Sequence, residues 1–236
     1  MVYQMVFGGG SITSVKAQLD QIISYRILQE LETKKKSITY LFPFDVAQFP
    51  VCLCFVRGDR GGSSSELAKQ VKASIKYWDK DSEKYIDIIF PGWFFSKGKP
   101  VFILDVFLHE KNEIESMSKY RYSGETDLLL LNYRFNITRG MGDFSFEHTI
   151  VLLVEQMIQS GRINSIDGLI QELINHAKDI WKVTDKSKIW EISDKIGIRR
   201  GSVAFWRSII HKIPIGGKIY KSLRPFCVCD LRKSAR

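Results

Sequence analysis

What most constrains this chain is a series of short apolar runs, rich in β-branched and aromatic residues and poor in alternation: "FPVCLCFVR" at 49–57, "KYIDIIF" at 84–90, "PVFILDVFL" at 100–108 and "TDLLLLNYRF" at 126–135. A strand with one wet face alternates apolar and polar residues, whereas a strand covered on both faces reads as an unbroken apolar run. The pattern therefore asks for a sheet held between helices. Helical spacing appears at 14–36, where Ser14 is a cap and Val15, Leu19, Ile22, Ile23, Leu28 and Leu31 fall near one stripe. It appears again at 63–80, where Leu67, Val71, Ile75 and Trp78 share a stripe and Glu66 follows Ser63 by three residues, as in a capping box. A further strand is expected at 38–42 ("ITYLF"), a turn at 91–93 ("PGW"), a short polar helix at 111–120, and two helices at 146–161 and 165–183, the first stopped by Gly161. The expected fold is α/β, a mixed or parallel sheet with helices on both faces, followed by a C-terminal helical subdomain.

With 236 residues, 44% of them apolar, the chain can bury a substantial core. Its longest apolar stretches, at 101–108 and 128–131, fall well short of the about 18 residues that cross a bilayer. The opening "MVYQMVFGGGS" lacks the basic, apolar and cleavage regions of an export signal, so a cytoplasmic protein with no membrane partner is expected. The four cysteines form two Cys-x-Cys pairs, Cys52 with Cys54 and Cys227 with Cys229. Structural zinc usually takes pairs separated by about two to four residues. In a strand, Cys52 and Cys54 share one face and behave as small hydrophobes, the reading favoured here.

Charge divides the chain unevenly. Residues 186–236 hold thirteen Lys and Arg against Glu191, Asp194 and Asp230, a surplus of +10, so the remaining 185 residues stand at −1 within a total of +9. A near-neutral body with a basic end is the electrostatic footprint of a polyanion-binding appendage. Three parts are expected: an α/β body at 1–144, a helical connector or dimerisation pair at 145–184, and a basic domain at 185–236.

Within the basic part, "EISDKIGIRRGSVAFWRSII" (191–210) has a particular order. Ile189, Ile192 and Ile196 make an inward stripe, Ser193 is small where a second helix would cross, and Gly197 stands where the backbone must take φ > 0. Ile198 plugs the turn, and Val203, Trp206 and Ile210 recur at intervals of three and four. Residues 189–211 thus resemble the helix-turn-helix of bacterial transcription regulators, a likeness covering about a tenth of the chain. The resemblance implies that Arg199, Arg200, Ser202 and Arg207 line the exposed start and outer face of the second helix, with Arg200 and Arg207 near base edges and Arg199 and Ser202 on the phosphate backbone. Behind it, "IPIGGKIYKSLRPFCVC" (213–229) has a Gly216-Gly217 turn between β-prone pairs, as in a winged helix, with Lys212, Lys218, Lys221 and Arg224 toward phosphates. Duplex DNA is the expected partner, and a regulator of this kind would act as a homodimer so that two recognition helices reach successive groove turns. The alternatives are an effector enzyme acting on nucleotides or nucleic acid, delivered by its basic domain, and a helical module that contacts protein.

The body offers less chemistry. The loop "VRGDRGGSSSE" (56–66), between an expected strand and helix, could hold a small phosphorylated ligand through Arg57, Gly58, Arg60, Gly61, Gly62, Ser63 and Ser64. It matches neither a Walker A loop nor a dinucleotide fingerprint, and a mobile surface loop ahead of a capped helix accounts for it as well. Asp87, Asp105 and Asp127 interrupt apolar runs, either to gather round a divalent metal or to meet arginines or solvent at strand ends. His109, His148, His176 and His211 show no metal-ligand spacing, and "LHEK" at 108–111 reads as a strand end. No cofactor or resident metal is expected, and the sequence assigns no residue a catalytic role.

Overall fold

In the computed structural model, which describes residues 14–34, 45–58, 63–82, 85–96, 99–161, 163–183, 226–229 and 231–232, the apolar runs at 49–57, 84–90 and 126–135 contribute strands to one mixed sheet. Strand β1 (Val46–Phe55) pairs in parallel with β2 (Asp87–Ile89), Val51 opposite Asp87. On its other side β1 runs antiparallel to β5 (Asp127–Asn136), from Val46 opposite Asn136 to Phe55 opposite Asp127. Antiparallel β6 (Met141–Leu153) and β7 (Phe226–Cys229) complete the order β2-β1-β5-β6-β7. Helix α2 (Ser63–Ser82) connects β1 to β2, the crossover that a parallel pair requires. Strands β3 (Trp93–Ser96) and β4 (Lys99–Phe102) form a separate hairpin.

The unbroken apolar runs are explained by cover on both faces. Cys52, Cys54, Leu128, Ile150 and Leu152 meet Leu67, Val71, Ile75 and Trp78 of α2 and Ile166, Leu169, Ile170, Leu173 and Ile174 of α5 (Ile166–Val183). The alternate residues, Phe49, Val51, Leu53, Phe55, Leu129, Leu131, Tyr133 and Phe135, meet Val15, Leu19, Ile23 and Ile27 of α1 (Val15–Lys34) and Phe107 and Ile114 of α3 (Leu104–Met117). Each buried Leu, Ile or Phe contributes roughly 1.5–3 kcal/mol by leaving water, so neither layer of helices can be removed without exposing a continuous apolar face. The Ala17 N–H donates to Ser14 Oγ at 3.3 Å, and the Gly168 N–H to Ser165 Oγ at 3.0 Å, capping α1 and α5. The Trp78 indole N–H donates to Asp167 Oδ1 at 2.9 Å and ties α2 to α5.

Two segments depart from the sequence expectation. The run at 100–108 is strand only to Phe102; Ile103 is extended (φ −121, ψ 110) and α3 starts at Leu104. Its buried residues, Val106, Phe107, Glu110 and Ile114, recur at helical intervals that the dense apolar run conceals. The segment 146–153, expected as helix, is the second half of β6, and only Val154–Gln159 (α4) is helical, with Gly161 at φ 67 beyond its end. Thr149, Ile150 and Val151 are β-branched and suit a pleated strand, and Ile150 and Leu152 pack into one layer while Val151 packs toward the other. Here β6 fits the four residues Phe146 to Thr149 where β5 has Leu131 alone, an irregular bulge that hides the period of two. Residues 38–42, expected as strand, lie outside the described residues.

Candidate functional site

In open α/β sheets, ligands bind beyond the carboxyl ends of parallel strands. Here that end of β1 leads through Val56, Arg57 and Gly58 toward the start of α2, whose first turn contains Ser63 and Ser64. Arg60, Gly61 and Gly62 of the expected anion loop lie outside the described residues. The β3–β4 hairpin clasps the described part of the loop. The Trp93 indole N–H donates to the Val56 carbonyl at 2.8 Å. A Cβ on Gly58 would lie 2.6 Å from Phe102 Cβ and 3.0 Å from Trp93 Cζ2, so the backbone reaches this wall only because residue 58 has no side chain. Trp93 and Phe102 are neighbours at 5.5 Å, and Phe90 stacks on Trp78 at 5.5 Å, giving the edge an aromatic floor.

Along the same edge stand two buried carboxylates. Asp127, opposite Phe55, accepts from the Tyr120 hydroxyl at 2.6 Å, from the Ser123 N–H at 2.9 Å and from the Ser123 hydroxyl. Burial still pushes its pKa up, against the pull of the Ser123 and Tyr120 hydrogen bonds. Glu155, in the first turn of α4, accepts from the Thr126 N–H and hydroxyl, both at 2.7 Å, and burial pushes it up as well. Both groups are engaged by residues of the segment 120–126, so their visible work is to fix the loop that enters β5. Beneath them, burial pushes the Cys52 thiol up to about 12, and Cys54 is raised well above its ordinary value, first by burial and then by Cys52, Glu155 and Asp127. Both thiols are free and sealed in the core, which is the packing role expected of them rather than a ligand role.

The three aspartates do not meet. Asp87 forms a two-pronged ion pair with Arg26 of α1, at 2.9 and 2.6 Å. Asp105 is exposed in the first turn of α3. Asp87 and Asp127 face positions four residues apart on β1, roughly 13 Å along a strand. His109 belongs to α3 and not to a strand end. The side chains of His148 and His176 lie outside the described residues, as does His211.

The expected DNA-contacting residues, Arg199, Arg200, Ser202, Arg207, Lys212, Lys218 and Lys221, with Arg224, also lie outside the described residues. What is described is where their segment departs and returns. Helix α5 ends at Val183, and the chain is next described in β7, where Phe226 pairs with Leu152 and Cys229 with Thr149. Beyond it the Leu231 N–H donates to the Phe146 carbonyl at 2.9 Å, and the Leu231 carbonyl accepts from the Lys119 N–H at 2.8 Å. Residues 226–229, grouped by sequence with the wing, therefore belong to the sheet of the body. The signal was present in "CVC", which repeats the apolar Cys-x-Cys pattern of β1. No protein-family model matches the chain, and neither a curated protein nor a solved structure is similar to it at a significant level.

Proposed function

We propose that this protein binds duplex DNA through the basic segment between α5 and β7, as a regulator whose α/β body senses a ligand or docks a partner. The observation that carries it is the coincidence, in one segment, of ten Lys and Arg against Asp185, Glu191 and Asp194 over 184–225 with a helix-turn-helix spacing around Gly197. Arg200 and Arg207 read bases, while Arg199, Ser202, Lys212, Lys218 and Lys221 hold phosphates. Both ends of the segment are fastened to the body, at Val183 and Phe226, so a change in the sheet or in α5 has two covalent routes to the DNA-binding part. Homodimerisation supplies the second recognition helix.

The test compares the wild type with an Arg200→Ala/Arg207→Ala variant on duplex DNA at 50 and 200 mM salt. Wild-type affinity should fall steeply with salt, since each neutralised phosphate adds about 0.9 to the log–log slope. The variant should lose on the order of 1–3 kcal/mol for each base contact. Binding that is insensitive to both changes would refute the proposal. A second reading, an effector acting on nucleotides or nucleic acid, is favoured by the position of the glycine loop at the carboxyl end of β1 beside the start of α2. It requires turnover that is lost when Arg57 is replaced by Ala while DNA affinity is kept.

A further inference from the structure

On α3, three metal-ligating groups converge away from the sheet edge. A ring nitrogen of His109 and one carboxylate oxygen each from Glu110 and Glu113 lie within 4.8 Å of one another. The helix brings this about: His109 and Glu113 are four residues apart and Glu110 and Glu113 three, the separations that share a helix face. Their surroundings are graded. His109 is exposed, Glu113 half-buried, and Glu110 is 2% exposed.

Glu110 Oε1 accepts the backbone N–H of Val15, the first residue of α1, at 3.1 Å. Glu113 Oε2 is sealed from solvent and accepts no hydrogen bond. Neither carboxylate forms an ion pair among the described residues; the nearby Lys111 is taken by Glu115 at 3.0 Å. Two carboxylates this close, one buried and one with an orphaned oxygen, repel each other unless a proton or a cation stands between them. A shared proton would satisfy the carboxylates but gives the imidazole no part.

We propose that His109, Glu110 and Glu113 bind a divalent first-row transition cation, with Zn2+ the best match to one imidazole and two carboxylates. Three protein ligands leave a fourth position, and the exposure of His109 sets that position toward solvent, open to water or to an anionic ligand. The Val15 N–H holds the Glu110 carboxylate from behind, as outer partners of metal ligands do, so the ion also ties α3 to the start of α1. The site is independent of the DNA-binding proposal.

The test uses the full chain, stripped with EDTA and titrated with Zn2+ against a chromophoric chelator, beside His109→Ala and Glu113→Gln variants whose far-UV spectra match the wild type. The wild type should take up one equivalent more tightly than either variant by roughly tenfold or more, and X-ray absorption of the loaded protein should show nitrogen and oxygen neighbours only. Failure of the wild type to bind Zn2+, undiminished binding in either variant, or sulfur in the coordination sphere would overturn the proposal. His109 is exposed, so its replacement removes a ligand without opening the core.

Discussion

Asp87 interrupts the apolar run of β2 and is 2% exposed, and Arg26 meets its carboxylate with two nitrogens. The pair joins α1 to the edge strand. Arg26→Ala would leave a carboxylate buried without its cation, a loss of about 3–5 kcal/mol, whereas replacing both partners by apolar residues should cost far less. Urea unfolding of the single and double variants measures the difference; a single variant within 1 kcal/mol of wild type would show that water reaches Asp87. Asp127 makes a different prediction because its pKa is raised, chiefly by burial. The folded state then holds a proton that the unfolded chain releases from the ordinary value of 3.8 upward, so this contribution to stability is complete below that pH and is lost as pH rises through the folded value. Asp127→Asn should be less stable throughout, through weakened bonds from Tyr120 and Ser123, but should flatten the decline on the alkaline side of pH 4. Stability curves collected from pH 4 to 7 give both slopes.

At the scale of elements, the turns test how tightly the β3–β4 hairpin is built in. Gly92 (φ 81) and Gly140 (φ 65) are both left-handed, but only Gly92 is crowded: a Cβ there would lie 2.7 Å from Phe107 Cβ, and at Gly140 nothing lies within 4 Å. Gly140→Ala should therefore cost only the left-handed penalty of about 1–2 kcal/mol. Gly92→Ala adds the displacement of Phe107 from the core, roughly 1–3 kcal/mol more, and equal denaturation midpoints for the two variants would contradict the packing. The same contrast between local and tertiary causes decides what the sequence reveals. Helices α1, α2 and α5 and strands β1, β2 and β5 were legible because their own periodicity or apolar density matches their burial. Even so, α1 buries Val15, Leu19, Ile23 and Ile27, at steps of four, and leaves the expected Leu28 57% exposed. The second half of β6, at 146–153, reads as helix in the sequence because the bulge at Phe146 to Thr149 breaks the period of two, and only pairing with β5 fixes its state. The cluster on α3 is hidden for a related reason: with 100–108 expected as strand and a separate helix from 111, His109 falls in the connection and shares no helix face with Glu113, whereas the unbroken helix from Leu104 sets the two about 6 Å apart along its axis.

For the whole molecule, the decisive fact is that the last strand of the sheet comes after the basic segment. Strand β7 covers Thr149 to Leu152 of β6, and Leu231 bridges the β6 bulge to the end of α3 through Phe146 and Lys119. Folding of the body must therefore close a loop across some forty residues, a cost that grows only slowly with loop length, by about 0.6 kcal/mol per doubling. Two deletions separate the roles. Replacing 184–225 by a short Gly/Ser linker keeps β7, so the body should fold with near-native stability while losing salt-dependent binding to DNA. Ending the chain at Val183 removes β7 as well and uncovers the hydrogen-bonding edge of β6 beside Ile150 and Leu152, a template for pairing with other chains. That truncation should unfold at lower denaturant and associate in a concentration-dependent way by light scattering, whereas the linker variant should not. If both deletions proved equally stable and monodisperse, β7 would contribute nothing to the sheet, and the two-ended attachment proposed to couple body and DNA would lose its physical basis.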